Sequence, residues 1–132
     1  METKLRVLVV DDDSNVRRGL RMRLRLSGIE VVGEAADGAA AVTQALALRP
    51  DVVLLDLNLP GIDGATACRI IRARGPAVVM LSLEDHEGAR ERCFVAGAAE
   101  FVSKQDSMPV LLAALFRAAG VPRQSGAGRE SD

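Results

Sequence analysis

Three consecutive aspartates, Asp11, Asp12 and Asp13, follow directly on the almost unbroken aliphatic run LRVLVV at 5–10. Asp56 closes a second run, DVVLLD at 51–56, Ser82 closes a third, AVVMLS at 77–82, and Lys104 follows the short EFVS at 100–103. Like charges stacked at the end of a buried strand repel one another, so a helix cap, a polar rim or a bound cation must account for them. Carboxylates arriving from neighbouring strands form an all-oxygen nest suited to a hard cation such as Mg2+, which takes one or two carboxylates plus water and phosphate oxygens. Beside such a nest a lysine offers a compact positive charge to a phosphoryl group, and a serine offers a hydroxyl donor. Asp13 has the position of a helix cap.

Other chemistries lack their residues. The single histidine, His86, falls beyond the third of these runs, where it reads as a solvent-facing helix start, and Cys68 and Cys93 have no metal-like spacing, so nothing is placed for zinc. Both cysteines read as reduced core thiols. No GxxxxGK and no GxGxxG stretch follows the first run, which removes the usual nucleotide cradles. With 17 basic and 18 acidic residues the net charge is -1, and nothing in it suggests wrapping a polyanion or lying on an acidic membrane. The N-terminal METKLRVLVVDDD turns acidic too early for a signal peptide or a membrane span, so a cytoplasmic protein without membrane contact is expected.

The elements that must position these groups are legible from periodicity. At 132 residues and 48% hydrophobic content the chain can build one core. Val16, Leu20 and Leu24 recur at helical spacing, with Arg17, Arg18, Arg21 and Arg25 on the other face and Gly28 as the stop. IEVVGEA at 29–35 reads as a second strand, residues 39–48 as an alanine-rich helix ended by Arg49-Pro50, and 65–72 as a helix after the shaped turn NLPGIDG. Helices are expected again from about 86 to 96 and after Ser107, the expected cap of the last one. Five strand-helix units in strict alternation predict an α/β fold: a parallel sheet with helices on both faces. In such a sheet ligands bind outside the carboxyl ends of the strands, which is where the aspartates, Ser82 and Lys104 fall. From about residue 122, RQSGAGRESD is small and polar, so residues 1–121 are expected to form the domain and 122–132 a tail or linker stub.

VVDDD at 9–13, LLDLNLPGIDG at 54–64, VVMLS at 78–82 and FVSK at 101–104 together resemble the landmark motifs of the response-regulator receiver domain of two-component signalling, over roughly residues 4 to 120. The resemblance implies a doubly wound, flavodoxin-like sheet of order 2-1-3-4-5. It implies that Asp56 accepts a phosphoryl group from a sensor histidine kinase, and that Asp12, Asp56 and the backbone carbonyl of Asn58 ligate Mg2+ directly while Asp11 acts largely through water. Ser82 matches the family's switch hydroxyl, Lys104 its lysine and Phe101 its switch aromatic, and Asn58 and Glu84 hold the positions linked to self-dephosphorylation. It further implies kinase docking near the arginine-rich first helix, and output or homodimerisation through the fourth helix, fifth strand and fifth helix. The short RARGPAV segment and the GIEVVGEAADG and AGAAEFVSK stretches look like receivers that drive a helix-turn-helix domain, so transcription control is expected, with DNA contacted only through a C-terminal domain this chain lacks.

Two positions depart from the pattern. Gln105 stands where many relatives have proline or aspartate, which leaves the geometry of the Lys104-Gln105 peptide open, and Leu83 is bulkier than the usual residue after the switch hydroxyl. Two rival functions meet the same residues with less success. A phosphatase of the haloacid kind needs a second acid two residues after its nucleophile, where this chain has Asn58; a pseudo-receiver would not keep Asp11, Asp12, Asp56, Ser82 and Lys104 together.

Overall fold

The computed structural model describes residues 4–120, so the expected tail at 122–132 lies outside the described residues. Strands and helices alternate: β1 (Arg6–Val10), α1 (Ser14–Leu26), β2 (Glu30–Ala35), α2 (Gly38–Leu48), β3 (Val52–Asp56), α3 (Gly64–Arg72), β4 (Ala77–Ser82), α4 (Glu87–Val95), β5 (Glu100–Ser103) and α5 (Met108–Ala119). All strand pairs are parallel and the order is β2-β1-β3-β4-β5, the doubly wound arrangement expected. No helix among the described residues is long and apolar enough to cross a membrane.

Successive residues of a strand point to opposite faces, and here both faces are covered. Leu8, Val10, Val53, Leu55, Val78 and Met80 pack on one side against Ala45 of α2, Cys68 and Ile71 of α3 and Cys93 of α4. Val7, Val9, Val52, Leu54, Val79 and Leu81 pack on the other against Leu20 and Leu24 of α1 and Leu111 and Leu115 of α5. This two-sided burial is why the runs are continuous rather than alternating. Each buried aliphatic side chain contributes roughly 1.5–3 kcal/mol, enough for the sheet to carry a costly polar cluster at its end. Cys68 and Cys93 are free and buried, and burial pushes both thiols up to about 11, in keeping with inert core residues.

Aspartates cap three helices. Asp13 accepts from the N–H groups of Asn15 and Val16, Asp37 from Ala40 and Asp63 from Thr66, while His86 caps α4 by accepting from Ala89 through Nδ1. Ser107 does stand at the N-cap of α5 but makes no side-chain cap bond. Pro109 occupies the second helical position, where it presents no N–H to the serine. The arginine stripe of α1 is also less exposed than its spacing suggests. Arg17 and Arg21 both turn onto Glu34 of β2, leaving Arg18 and Arg25 in solvent. Burial raises the Glu34 carboxyl, and Arg21 and then Arg17 more than offset it, so its pKa lies below the ordinary value.

Two glycines illustrate what the loop after β3 demands. A Cβ on Gly64 would lie 2.5 Å from the carbonyl oxygen of Asp56 and 2.6 Å from that of Leu57, both immovable backbone atoms. At Gly19, inside α1, the nearest atom is the flexible end of Arg23 at 3.6 Å. Gly64→Ala should therefore destabilise the domain by about 1–3 kcal/mol despite its better helix propensity, whereas Gly19→Ala should stabilise it by about 0.5–1 kcal/mol. Denaturant midpoints of the two variants beside the parent measure both, and a stabilised Gly64→Ala would contradict the packing described.

Candidate functional site

The strand order reverses between β1 and β3, which opens a crevice at their carboxyl ends. β1 delivers Asp11 and Asp12 to its rim and β3 delivers Asp56. One carboxylate oxygen from each of the three lies within 4.8 Å of the others, with Asp11 and Asp56 buried and Asp12 exposed. Main-chain bonds carry the sheet's order just past the strand ends: Asp11 N–H donates to Ala35 O at 3.1 Å, Leu57 N–H to Leu81 O at 3.1 Å, and Lys104 N–H to Ser82 O at 2.8 Å.

Lys104 reaches back across the end of β4. Its ammonium lies 2.8 Å from Asp11 Oδ2 and 3.1 Å from Asp56 Oδ2. The other Asp56 oxygen accepts the Asn58 N–H at 3.1 Å, and Asp11 Oδ1 accepts the Asp13 N–H at 2.9 Å. Burial raises the Asp56 carboxyl above its ordinary value, and the Asn58 N–H and Lys104 recover only part of that cost. For Lys104 burial works against the charged form, but the Asp11 and Asp56 carboxylates beside it win, so its pKa is raised. Asp11 Oδ2 is fully buried and receives no well-directed hydrogen bond, although the ammonium is beside it. A buried carboxylate oxygen left in this state, next to two further carboxylates, fits a divalent cation: the donor set is all oxygen and carries more negative charge than one lysine neutralises.

Ser82 is wholly buried at the end of β4, and its Oγ accepts the Glu84 N–H at 2.9 Å. Phe101 sits two residues before Ser103 on β5, opposite Met80, away from the carboxylates. Its ring is already inside, 8% exposed, with the Arg90 guanidinium 4.7 Å from its centroid. Leu83 does not turn into the core: it is 66% exposed and borders a cleft of about 450 Å³ running between α1 and α5 beside Asp12 and Lys104. The Lys104-Gln105 peptide is trans, since no cis bond occurs among the described residues. Gln105 N–H donates to Ser103 Oγ and Ser103 N–H to Asp106 Oδ2, so the turn after β5 is held by side chains in place of a proline.

Some contributors escaped sequence reasoning. Arg17 donates to the carbonyl of Asp11 at 2.7 Å and so fixes the backbone from which the aspartates project. Glu84 is engaged by His86 Nε2 at 3.2 Å and by Arg92 at 3.4 Å. The i to i+4 step from Asp13 to Arg17 hints at the first; the second depends on how the loop after β4 folds back and has no local signal.

This geometry has close relatives. The receiver domain of the response regulator NarL from Mycobacterium tuberculosis superposes with a TM-score of 0.85 at 35% identity, over 90% of this chain and 98% of that one. The receiver domain of the sensor histidine kinase PA1611 from Pseudomonas aeruginosa, whose active-site cleft coordinates a magnesium ion, superposes at 0.80 with 32% identity, over 89% of this chain and 99% of that one. A protein-glutamate methylesterase/protein-glutamine glutaminase of Archaeoglobus fulgidus is 46% identical over 114 residues, which make up 84% of this chain but only 33% of that protein. The chain thus spans about a third of the length of the curated relatives it matches. The family model of the response regulator receiver domain matches residues 7–116, nearly the whole sheet with its carboxylate crevice and lysine, and the chain belongs to that family of phosphorylation switches.

Proposed function

We propose that Asp56 is the phosphoacceptor of this receiver, taking a phosphoryl group from the phosphohistidine of a sensor histidine kinase with Mg2+ held among Asp11, Asp12 and Asp56. The observation that carries the reading is the Asp56 carboxylate itself, buried at the end of the central strand with one oxygen on the Asn58 N–H and the other on Lys104. In the transfer an Asp56 oxygen forms a bond to phosphorus while the bond from phosphorus to the imidazole nitrogen breaks, and the electron pair leaves with that nitrogen. Asp56 must be ionised to attack; burial opposes this, and Lys104 and the Asn58 N–H favour it. Lys104 then lies beside the new phosphoryl group, where it shares the charge on its equatorial oxygens. Asp11, Asp12, Asp56 and the Asn58 carbonyl are the groups that would hold a divalent cation, and its chemistry there is neutralisation of the same oxygens.

Signalling follows from the residues around this centre. Ser82 Oγ, which accepts the Glu84 N–H, donates its own O–H to a phosphoryl oxygen, and the loop leading to α4 moves with it. The proposed output and dimerisation surface is α4, β5 and α5, with Phe101 beneath it. The reading places the domain in the cytoplasm, with transcription control through a separate DNA-binding domain as one output, in keeping with the GIEVVGEAADG and AGAAEFVSK stretches. Control of a methylesterase domain is the second, supported by the higher identity to the Archaeoglobus protein. The coding sequence next to this domain separates the two.

Incubation with Mg2+ and a small phosphoramidate, followed by peptide mapping, should place one phosphoryl group on Asp56 and none on Asp56→Asn. A folded Asp56→Asn labelled as fully as the parent would refute the assignment.

A linked expectation concerns pH and stability. Because the folded-state pKa of Asp56 is raised, the folded protein binds that proton more tightly than the unfolded chain. Its contribution to stability is greatest below the ordinary carboxylate value of 3.8 and is lost as pH rises through the folded pKa. At neutral pH the ionised group is a burden, so Asp56→Asn should raise the metal-free melting temperature by a few degrees. Mg2+ should stabilise the parent more than the variant, and its affinity should fall on acidification beginning above pH 3.8. Calorimetry across pH tests both signs, and a destabilised, folded Asp56→Asn would count against the buried-charge account.

Ser82→Ala should still accept phosphate at Asp56. A charge-assisted hydrogen bond is worth roughly 1.5–3 kcal/mol, so its loss should shift the switched population back about ten-fold or more. Backbone NMR over residues 86–116, with and without a phosphoryl mimic, reads the shift, and identical perturbations in parent and variant would remove Ser82 from the switch.

A further inference from the structure

Of the three clustered carboxylates, Asp12 is the one that no other side chain or N–H holds. It is exposed, and its side chain has no hydrogen-bond or ion-pair partner among the described residues. Asp11 beside it is engaged at every polar group. Its N–H donates to Ala35 O at 3.1 Å, its Oδ1 accepts the Asp13 N–H at 2.9 Å, and the Lys104 ammonium stands 2.8 Å from its Oδ2. The remaining group, the Asp11 carbonyl, belongs to the peptide that leads into Asp12, and it accepts Arg17 Nη1 at 2.7 Å. A peptide unit is planar, so the direction in which Asp12 leaves β1 is inherited from a plane that Arg17 fixes.

Arg17 is in turn held from β2. Its Nε donates to Glu34 Oε1 at 3.3 Å, while Arg21, one turn further along α1, occupies Glu34 Oε2. Glu34 pairs with Val9 in the sheet, so its side chain leaves on the face that α1 covers, and Gln44 Nε2 of α2 donates to its carbonyl at 2.6 Å. Both side chains are largely shielded, Arg17 at 19% exposure and Glu34 at 26%. A planar guanidinium with its donors in a fixed fork can span a carbonyl and a carboxylate at once, which a compact ammonium on a flexible stem does not do.

The sign of the charge decides what Arg17 can contribute. A guanidinium here repels a divalent cation, so if charge were its contribution the site would bind better without it. Orientation is what remains. We propose that Arg17, braced by Glu34, is a positioning residue for the divalent cation: it holds the Asp11–Asp12 peptide so that the otherwise unsupported Asp12 carboxylate meets those of Asp11 and Asp56. The inference rests on the cation site of the proposed function and adds to it two residues that do not themselves touch the cation. Outer partners of metal ligands contribute roughly 10–100-fold in affinity, and the opposing charge of Arg17 places its effect at the low end.

The experiment is Mg2+ titration calorimetry at neutral pH and physiological salt on the parent, Arg17→Met, Glu34→Gln and the double variant, with melting temperatures measured beside it. Arg17→Met should bind Mg2+ about ten-fold more weakly and Glu34→Gln about three-fold more weakly, and the double variant should bind no more weakly than Arg17→Met, because Glu34 acts only through the guanidinium. A charge-only account predicts tighter binding in Arg17→Met and an equal Glu34→Gln effect in both backgrounds, and either result overturns the proposal. So does a lowered melting temperature with an unchanged dissociation constant, the mark of a contact that merely joins α1 to β2.

A second measurement reads the brace without the cation. The hydrogen bond at the Asp11 carbonyl polarises the peptide, so in the metal-free protein the Asp12 backbone amide resonance should move in Arg17→Met and, less far in the same direction, in Glu34→Gln. An Asp12 amide unmoved in Glu34→Gln removes the brace, and this variant decides the matter should Arg17→Met not fold. A parent that binds no Mg2+ would instead overturn the cation site itself and with it the role of Arg17, whereas undiminished binding by Arg17→Met overturns that role alone.

Discussion

Everything at the working end of this domain depends on one ammonium group held between two buried carboxylates. Lys104 meets Asp11 and Asp56 at 2.8 and 3.1 Å, and it has to cross the end of β4 to do so. Two carboxylates this close cannot both stay charged out of water without a partner, and removing the lysine would leave both uncompensated. The arrangement is possible only because the sheet order brings the ends of β1, β3 and β5 around a small buried residue, Ser82, at the end of β4. The fold is therefore the condition for the charge cluster, while the cluster returns little to the fold. Asp11 keeps a poorly directed oxygen, and Asp56 keeps a raised pKa. Stability supplied by aliphatic packing on both faces of the sheet is what lets these groups remain unrelieved.

The same division explains what could be read from the chain alone. Strands were legible because two-sided burial leaves no choice but continuous Val and Leu runs, and each run ends abruptly on the polar residue it delivers. Asp56, Ser82 and Lys104 could be placed at strand ends on that ground without any knowledge of register. The receiver motifs then supplied the strand order that periodicity cannot. What stayed hidden were interactions whose partners lie far apart in sequence and whose geometry is set by loops. Arg17 and Arg21 looked like solvent-facing charges because nothing local announces Glu34, and their turn toward β2 is a tertiary event. Ser107 looked like a cap, and it does stand at the N-cap position, but its side chain makes no cap bond. Leu83 could have gone into the core or the cleft; its residue type did not decide, and the bend after Ser82 did.

The loop after β4 is where the rigid and the adjustable halves of the molecule meet. On the inner side, the Glu84 N–H donates to the hydroxyl of the fully buried Ser82. On the outer side, Glu84 meets His86 and Arg92, Asp85 pairs with Arg90, and Arg90 covers the Phe101 ring, all at or near the surface. Contacts of the second kind are individually worth about 1 kcal/mol or less. They can be exchanged for others at small cost, unlike the aliphatic layers beneath. The buried side chains of α4 are small, Ala89 and Cys93, so a modest displacement of this helix opens little cavity volume.

A charge event at Asp56 therefore has an inexpensive route outward. The Glu84 N–H donates to Ser82 Oγ and ties the buried centre to this surface set; under the proposed phosphorylation, turning the Ser82 O–H toward a phosphoryl oxygen shifts that anchor without disturbing either core. The magnitudes order the response. A charge-assisted bond to a phosphoryl oxygen, worth roughly 1.5–3 kcal/mol, exceeds any single exposed contact it would rearrange, but not the packing of a whole strand or helix. The central strands and α1, α2 and α3 should thus hold still while the β4–α4 loop, α4 and the face it forms with β5 and α5 take up the change. Coupling runs both ways through such an element, so whatever grips the outer side of α4 must also bear on the groups at the mouth of the Asp56 site.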